Sequence, residues 1–281
     1  MEKENLEFLK ERLYFLGFGE RLNKGLEDKM KSGATEFKLG IDGGVETMGK
    51  KKTIDYVLDF AKSSKQDRYF LNNYTATLKN ENKEVEAKQK VFLNYGSGLS
   101  SREAFNLLEG RSVHKTLKNK KGESYEAWVK IDFNTQDKYG NNKLQPFTKG
   151  WNYDLSHQLH KHPIKELQDS AQKDELMRKM NKGDLAEVNF VINSQDVKRH
   201  IAANPAGRNI LVYDENFQLL TKQKEAKEVQ ESKPDRSAGI MFNESRVEAS
   251  ASKEKTKGTA VDKTEASEGT ANTKRKAGRS V

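Results

Sequence analysis

After Leu220 the chain stops supplying material for a hydrophobic core. Residues 221 to 281 hold a single aromatic, Phe242, among 14 Lys+Arg and 10 Asp+Glu interspersed with Ala, Ser, Thr and Gly. Ordering backbone costs about 1 to 2 kcal/mol per residue, and a segment this polar buries too little apolar surface to offset that. It reads as a disordered basic tail, ending in the cationic cluster Lys274-Arg275-Lys276 with Arg279. The foldable body is therefore the first 220 of 281 residues. Charge is spread over both parts: 51 Lys+Arg against 42 Asp+Glu give +9, the tail accounts for +4, and +5 remains on the body.

Several classes drop out at once. No run approaches the roughly 18 apolar residues that a membrane span needs, and Met1-Glu2-Lys3-Glu4-Asn5 is too polar to open a secretory signal. The expectation is a cytoplasmic protein without membrane contact. Zero cysteines exclude disulfides, thiolate metal sites and thiol catalysis, which leaves hydroxyls, carboxylates, imidazoles and amines.

Within the body, periodicity sets the elements. Leu6, Leu9, Leu13 and Leu16 share a helix face that Gly17 ends as a left-handed cap, and Leu22, Leu26 and Met30 mark a second helix closed by Gly33. The period then changes to two. Phe37, Leu39 and Ile41 alternate, as do Ile54, Tyr56, Leu58 and Phe60, with Gly40, Gly43, Gly44 and Gly49 read as a loose connection between them. A strand from Arg68 to Leu78 places Phe70, Tyr74, Ala76 and Leu78 on one face, and a fourth runs through Val91-Phe92-Leu93. Ser100 with Glu103 forms a capping box for a helix that Gly110 ends.

Beyond it, strands at 112–118 and 125–133 flank the turn Asn119 to Gly122. In the second of these, Tyr125, Ala127, Val129, Ile131 and Phe133 share a face, which leaves Trp128 and Lys130 on the other, exposed one. A short strand near 144–147, helices around 154–161 and 170–181, and a three-strand meander through Val188, Val197, Ile201, Ile210 and Val212 complete the body. The expected fold class is α+β, antiparallel sheets covered by short helices. The expected organisation is an N-terminal unit over 1–110, a second over 111–220, and the tail over 221–281. Leu58-Asp59-Phe60 before Gln66-Asp67-Arg68-Tyr69 is echoed by Ile131-Asp132-Phe133 before Gln136-Asp137-Lys138-Tyr139. Duplication of one unit would explain the echo, and so would common hairpin chemistry.

Motifs that could carry chemistry each have a plain structural reading. His157, His160 and His162 form the one imidazole cluster, which could hold a metal only by recruiting Asp154 or Glu166; otherwise they line the wet side of a helix whose buried stripe is Leu155 and Leu159. Tyr95-Gly96-Ser97-Gly98 before a helix start could cradle phosphate, but it lacks the Lys-Ser/Thr of a P-loop and the third glycine of a dinucleotide fingerprint. No nucleophile motif occurs, and Asp59 and Asp132 read as turn carboxylates. A pocket gathering Asp132, His114 and Glu103 would favour an enzyme; without one the expectation is no catalysis and no cofactor. The most suggestive surface is the hairpin: Arg111, Lys115, Lys118, Lys120, Lys121 and Lys130 face only Glu123 and Glu126, and Trp128 offers a ring for stacking. Arg102 would add a cation. Lys115 shares parity with Val113 and Leu117, so it could merely snorkel at a sheet edge, and Trp128 could instead lie beneath a helix.

The motifs Tyr69-Phe-Leu-Asn-Asn-Tyr74, Ala104-Phe-Asn-Leu-Leu-Glu-Gly-Arg111, Ala127-Trp-Val-Lys-Ile-Asp-Phe133, Tyr153-Asp-Leu155 with Pro163-Ile-Lys-Glu-Leu167, and Ala203-Asn-Pro205 with Val212-Tyr-Asp214 resemble an uncharacterised family. That family is widespread on conjugative transposons and other mobile elements of Bacteroidetes-type bacteria, and its domain, one of unknown function, is also found attached to topoisomerase-like proteins. The resemblance implies a genetic context and not a mechanism, with no catalytic residue to carry over; a topoisomerase or conjugation protein is a candidate partner. Together with the basic body it leads to the expectation of a non-catalytic accessory protein of a mobile element that binds DNA or RNA through a basic face. The alternative is a protein-interaction adaptor for a conjugation or DNA-processing enzyme.

Overall fold

Leucines at helical spacing open the chain as expected. In the computed structural model, which describes residues 3–93, 98–119, 121–138 and 140–221, α1 (Lys3–Phe15) buries Leu6, Leu9 and Leu13, and Gly17 follows it at a φ of +86°. α2 (Asn23–Lys31) buries Leu26 and Met30. The tail beyond Thr221, including Lys274, Arg275, Lys276 and Arg279, lies outside the described residues, as do Lys120 and Tyr95 to Ser97.

Four antiparallel strands pair in sequential order: β1 (Glu36–Thr47), β2 (Lys50–Lys62), β3 (Tyr69–Lys79) and β4 (Val85–Phe92). Two details differ from expectation. Gly40, Gly43 and Gly44 are not a connection but part of β1, which pairs with β2 over 12 residues without a shift. The true turn is Met48-Gly49, both at positive φ, the backbone that matches strand twist in a two-residue hairpin. Ladder bonding along a long partner overrides the weak strand preference of glycine here. In β3, Asp59 pairs with Asn73 but Phe60 with Leu71, so Asn72 is an extra residue. Such a bulge inverts the side-chain phase. Tyr69 and Leu71 are therefore buried before it, Tyr74, Ala76 and Leu78 after it, and Phe70 turns out to solvent at 47% exposure.

α3 (Ser101–Leu108) starts at the expected capping box, with Ser100 Oγ accepting from Glu103 N and Glu103 Oε2 accepting from Ser100 N. β5 (Val113–Lys118), β6 (Ser124–Gln136) and β7 (Asn142–Thr148) form a second antiparallel sheet in that order. After it come α4 (Leu155–Leu159) and α5 (Ser170–Asn181), capped by Asp154 and Asp169. β8 (Ala186–Ile192), β9 (Gln195–Asn204) and β10 (Asn209–Tyr213) make the third sheet, with β9 central. The fold is thus α+β: three antiparallel sheets and five short helices among the described residues. No helix there is long and apolar enough to cross a membrane.

Two buried clusters meet at β6. Val129 and Ile131, with Val113 of β5, join the core formed by the first sheet and α1 to α3. Trp128 points the other way, into the core of Leu159, Met180, Phe190 and Ile201. β6 is a shared wall, and it lies beyond the division expected near Gly110. The echoed segments both sit where a ladder loses register, Asp59/Phe60 in one and Asp132/Gln136 in the other.

Candidate nucleic-acid interface

The predicted constellation does not form one surface. Strand parity holds, since Trp128 and Lys130 do share a face of β6, but the middle of that face is covered. Trp128 is 6% exposed, set between its cross-strand neighbours His114 and Phe147, with the Tyr153 ring edge-on at 5.5 Å. The chain that crosses after β7 buries it, and no pattern within β6 announces that. Trp128 is therefore a core residue and not an exposed stacking platform.

Arg111 departs in the same direction. Its side chain is only 10% exposed. Nε donates to Gly183 O at 2.9 Å, Nη2 to Asn106 Oδ1 at 2.7 Å and Nη1 to Thr47 Oγ1 at 3.4 Å, while Glu109 Oε2 lies 3.6 Å away. Gly183 can accept this role because its φ is +80° and a Cβ there would press to 2.8 Å from Ser112 O. Burial pulls the guanidinium below its ordinary value while Glu109 and Asp184 oppose the shift; a group this basic keeps its charge. Asn106 continues the network to Lys182 O and Asp184 Oδ1, and Lys52 joins Glu109 to Glu86. Arg111 is a strap between the two cores.

Two further cations are spoken for. Lys115 sits on the inward face, and its ammonium reaches both Glu103 oxygens at 3.2 and 3.0 Å. That carboxylate stands at the start of α3, where the alternative reading would have placed a phosphate. Arg102 Nε is 2.6 Å from Asp184 Oδ1, although the side chain stays 61% exposed. Lys118 and Lys121 are exposed and Lys130 half-buried, and none of the three has an ion pair among the described residues. Lys120 lies outside those residues.

Arg102 and Arg111 instead share a cleft of about 550 Å3 between the Met48-Gly49 turn, α3 and β8. Its wall also carries Glu46, Asp184 and Glu187, so it has no positive surplus for a polyanion. His114, Glu103 and Asp132 are not gathered into a pocket. His114 lies 3.6 Å from Glu126, Glu103 holds Lys115, and Asp132 accepts from Thr135 Oγ1 and Asn134 N, bonds that hold its carboxyl below the ordinary value. The histidines are not gathered: His160 Nδ1 lies 2.7 Å from Ser156 O, His162 packs on Phe190 and His157 is exposed, and no group of three or more metal-type ligands forms among the described residues.

A tryptophan beside cations does exist, in a place sequence reasoning passed over. A short 3-10 turn, Lys149–Trp151, follows β7 and leaves Trp151 38% exposed. Trp151 Nε1 donates to Pro205 O at 2.8 Å, the same carbonyl that accepts Arg208 N at 3.1 Å. One backbone oxygen thus fixes ring and arginine together, and the Arg208 guanidinium rests 5.1 Å from the ring centroid, a cation–π distance. A Cβ at Gly207 would press on the Asn204 and Asn209 side-chain amides, so those side chains would have to shift to admit one. Neither Lys149 nor Arg208 has an ion pair among the described residues. The available signal was Lys149-Gly-Trp151 directly after a strand end and the Pro205-Ala-Gly-Arg208 turn.

No protein-family model matches the chain, and neither does any curated protein or solved structure.

Proposed function

We propose that this is a non-catalytic accessory protein of a mobile genetic element that binds DNA or RNA. The observation that carries the nucleic-acid reading is the preorganised pair Trp151 and Arg208, a part-exposed ring for an unpaired base or sugar beside a cation for phosphate, with the exposed Lys149 two residues before the ring as a second cation. The excess of +9 supports nonspecific attraction to the same polyanion, with Lys118, Lys121 and Lys130 as outlying contacts. The mobile-element context rests on the family resemblance alone and is checked by the genes that neighbour the coding sequence.

The binding test is retention of single-stranded oligonucleotides across a salt series. Log affinity should fall steeply with log salt, and Arg208→Ala or Lys149→Ala should each flatten the slope by about one phosphate, roughly 0.7 units for a single strand. Absence of retention at low ionic strength, or a flat salt response, removes the reading. An adaptor role is favoured by one observation, the aromatic side of α1, where Phe8, Tyr14 and Phe15 are 54%, 62% and 74% exposed. Recovery of a stable protein partner after nuclease treatment, lost in Phe15→Ser, would support it.

A further inference from the structure

The first sheet has two edges, and they are finished differently. On β4, Lys90 N donates to Asn141 Oδ1 at 3.1 Å and Lys88 O accepts from Asn142 Nδ2 at 3.3 Å, so the β6–β7 turn occupies that side. Among the described residues β1 pairs only with β2. Its phase is readable: Lys62 N donates to Thr35 O at 2.7 Å, and bonded pairs recur at every second residue of an antiparallel ladder. Phe37, Leu39 and Ile41 therefore turn their backbone groups toward β2. Glu36, Lys38, Gly40, Asp42, Gly44 and Glu46 turn theirs outward, and all six are exposed. Among the described residues one hydrogen bond reaches that row, from Arg21 Nη1 to Asp42 O at 3.3 Å.

Unpaired backbone donors and acceptors over this length are a template for another strand, which proteins ordinarily blunt with a bulge, a proline, brevity or edge charges. β1 has only the last of these, in Glu36, Lys38, Asp42 and Glu46. It runs 12 residues without a register shift, and a Cβ added at Gly40, Gly43 or Gly44 would meet nothing within 4 Å. We propose that β1 pairs antiparallel with β1 of a second copy, about a two-fold axis at Gly40, so that two four-stranded sheets become one.

The register follows from charge. With Gly40 opposite its own counterpart, Lys38 stands opposite Asp42 of the second copy on both sides of the axis, and Glu36 meets a glycine. On the helix-covered face Leu39 meets Ile41, apolar against apolar. Sliding so that the axis falls at Ile41 sets Glu36 against Glu46 twice, and centring on Asp42 sets that carboxylate against itself. Like charges directly opposite destabilise a pair, so only the Gly40 register is free of them among these three. The contact is isologous and closed, which stops it from growing into a fibre. Arg21, held there by a single surface hydrogen bond, has to swing aside.

The test is sedimentation of the full chain from low micromolar to high micromolar concentration. A concentration-dependent dimer is expected, weakened at least tenfold by Lys38→Glu or Asp42→Lys and restored by the double reversal, with circular dichroism unchanged throughout. Amide exchange at Gly40 and Asp42 should slow in the dimer. A chain that stays monomeric over the whole range overturns the proposal, as does a dimer that the single reversals leave intact or the double reversal does not recover. None of these outcomes depends on nucleic-acid binding, since Trp151 lies in the turn after β7 and not on β1.

Discussion

Trp128 and Trp151 sit 23 residues apart on either side of one strand, β7, and have opposite surroundings. Trp128 lies on a regular strand, beside Lys130, in a segment whose charge pattern invites a surface reading. Trp151 lies in a short irregular turn. Yet the first is sealed beneath Tyr153 and the second is open, with its indole N–H tied to Pro205 and a guanidinium laid against it. Parity along a strand tells which residues share a side. It does not tell what the chain later lays over that side.

Substitutions should separate the two rings, and the buried one gives the largest effect. Trp128→Ala removes a filled core position and is expected to cost about 3 to 5 kcal/mol, read as a lowered urea midpoint. Arg111→Ala should follow at about 3 kcal/mol, because it leaves the Gly183 carbonyl and Asn106 Oδ1 without their donor in a buried network. Arg102, mostly exposed at its pair with Asp184, should matter far less, about 1 kcal/mol or less on replacement by Ala. Trp151→Ala is expected to lower the urea midpoint far less than Trp128→Ala, by about 1 kcal/mol for the lost hydrogen bond to Pro205 O and contact with Phe147, and to weaken single-strand binding by about 1 to 2 kcal/mol, a stacking contribution measurable by anisotropy. Smallest of all, Lys118→Ala and Lys121→Ala together should change affinity less than threefold at moderate salt. If Trp128→Ala lost binding while keeping full stability, or Trp151→Ala unfolded the chain, the contrast between the rings would collapse.

Much of the fold was legible because its signals are local. The leucine stripes of α1 and α2, the Ser100–Glu103 box and the turn after Asn119 all lie within a few residues of what they determine. The misreadings have long-range causes. Gly40 to Gly44 reads as a loop until β2 supplies a ladder. Phe70 reads as buried until Asn72 is squeezed out of register by β2. Arg111 reads as a surface cation until a carbonyl 72 residues away accepts from it. The site was the least legible part. Trp151 depends on a carbonyl 54 residues further on, and neither partner is unusual by itself.

The shared wall at β6 has a consequence for how the body comes apart. A strand that gives Val129 and Ile131 to one interior and Trp128 to another cannot peel from either without baring both. Heating should therefore give a single endotherm, with calorimetric and van't Hoff enthalpies in agreement, and neither half should survive the melting of its neighbour.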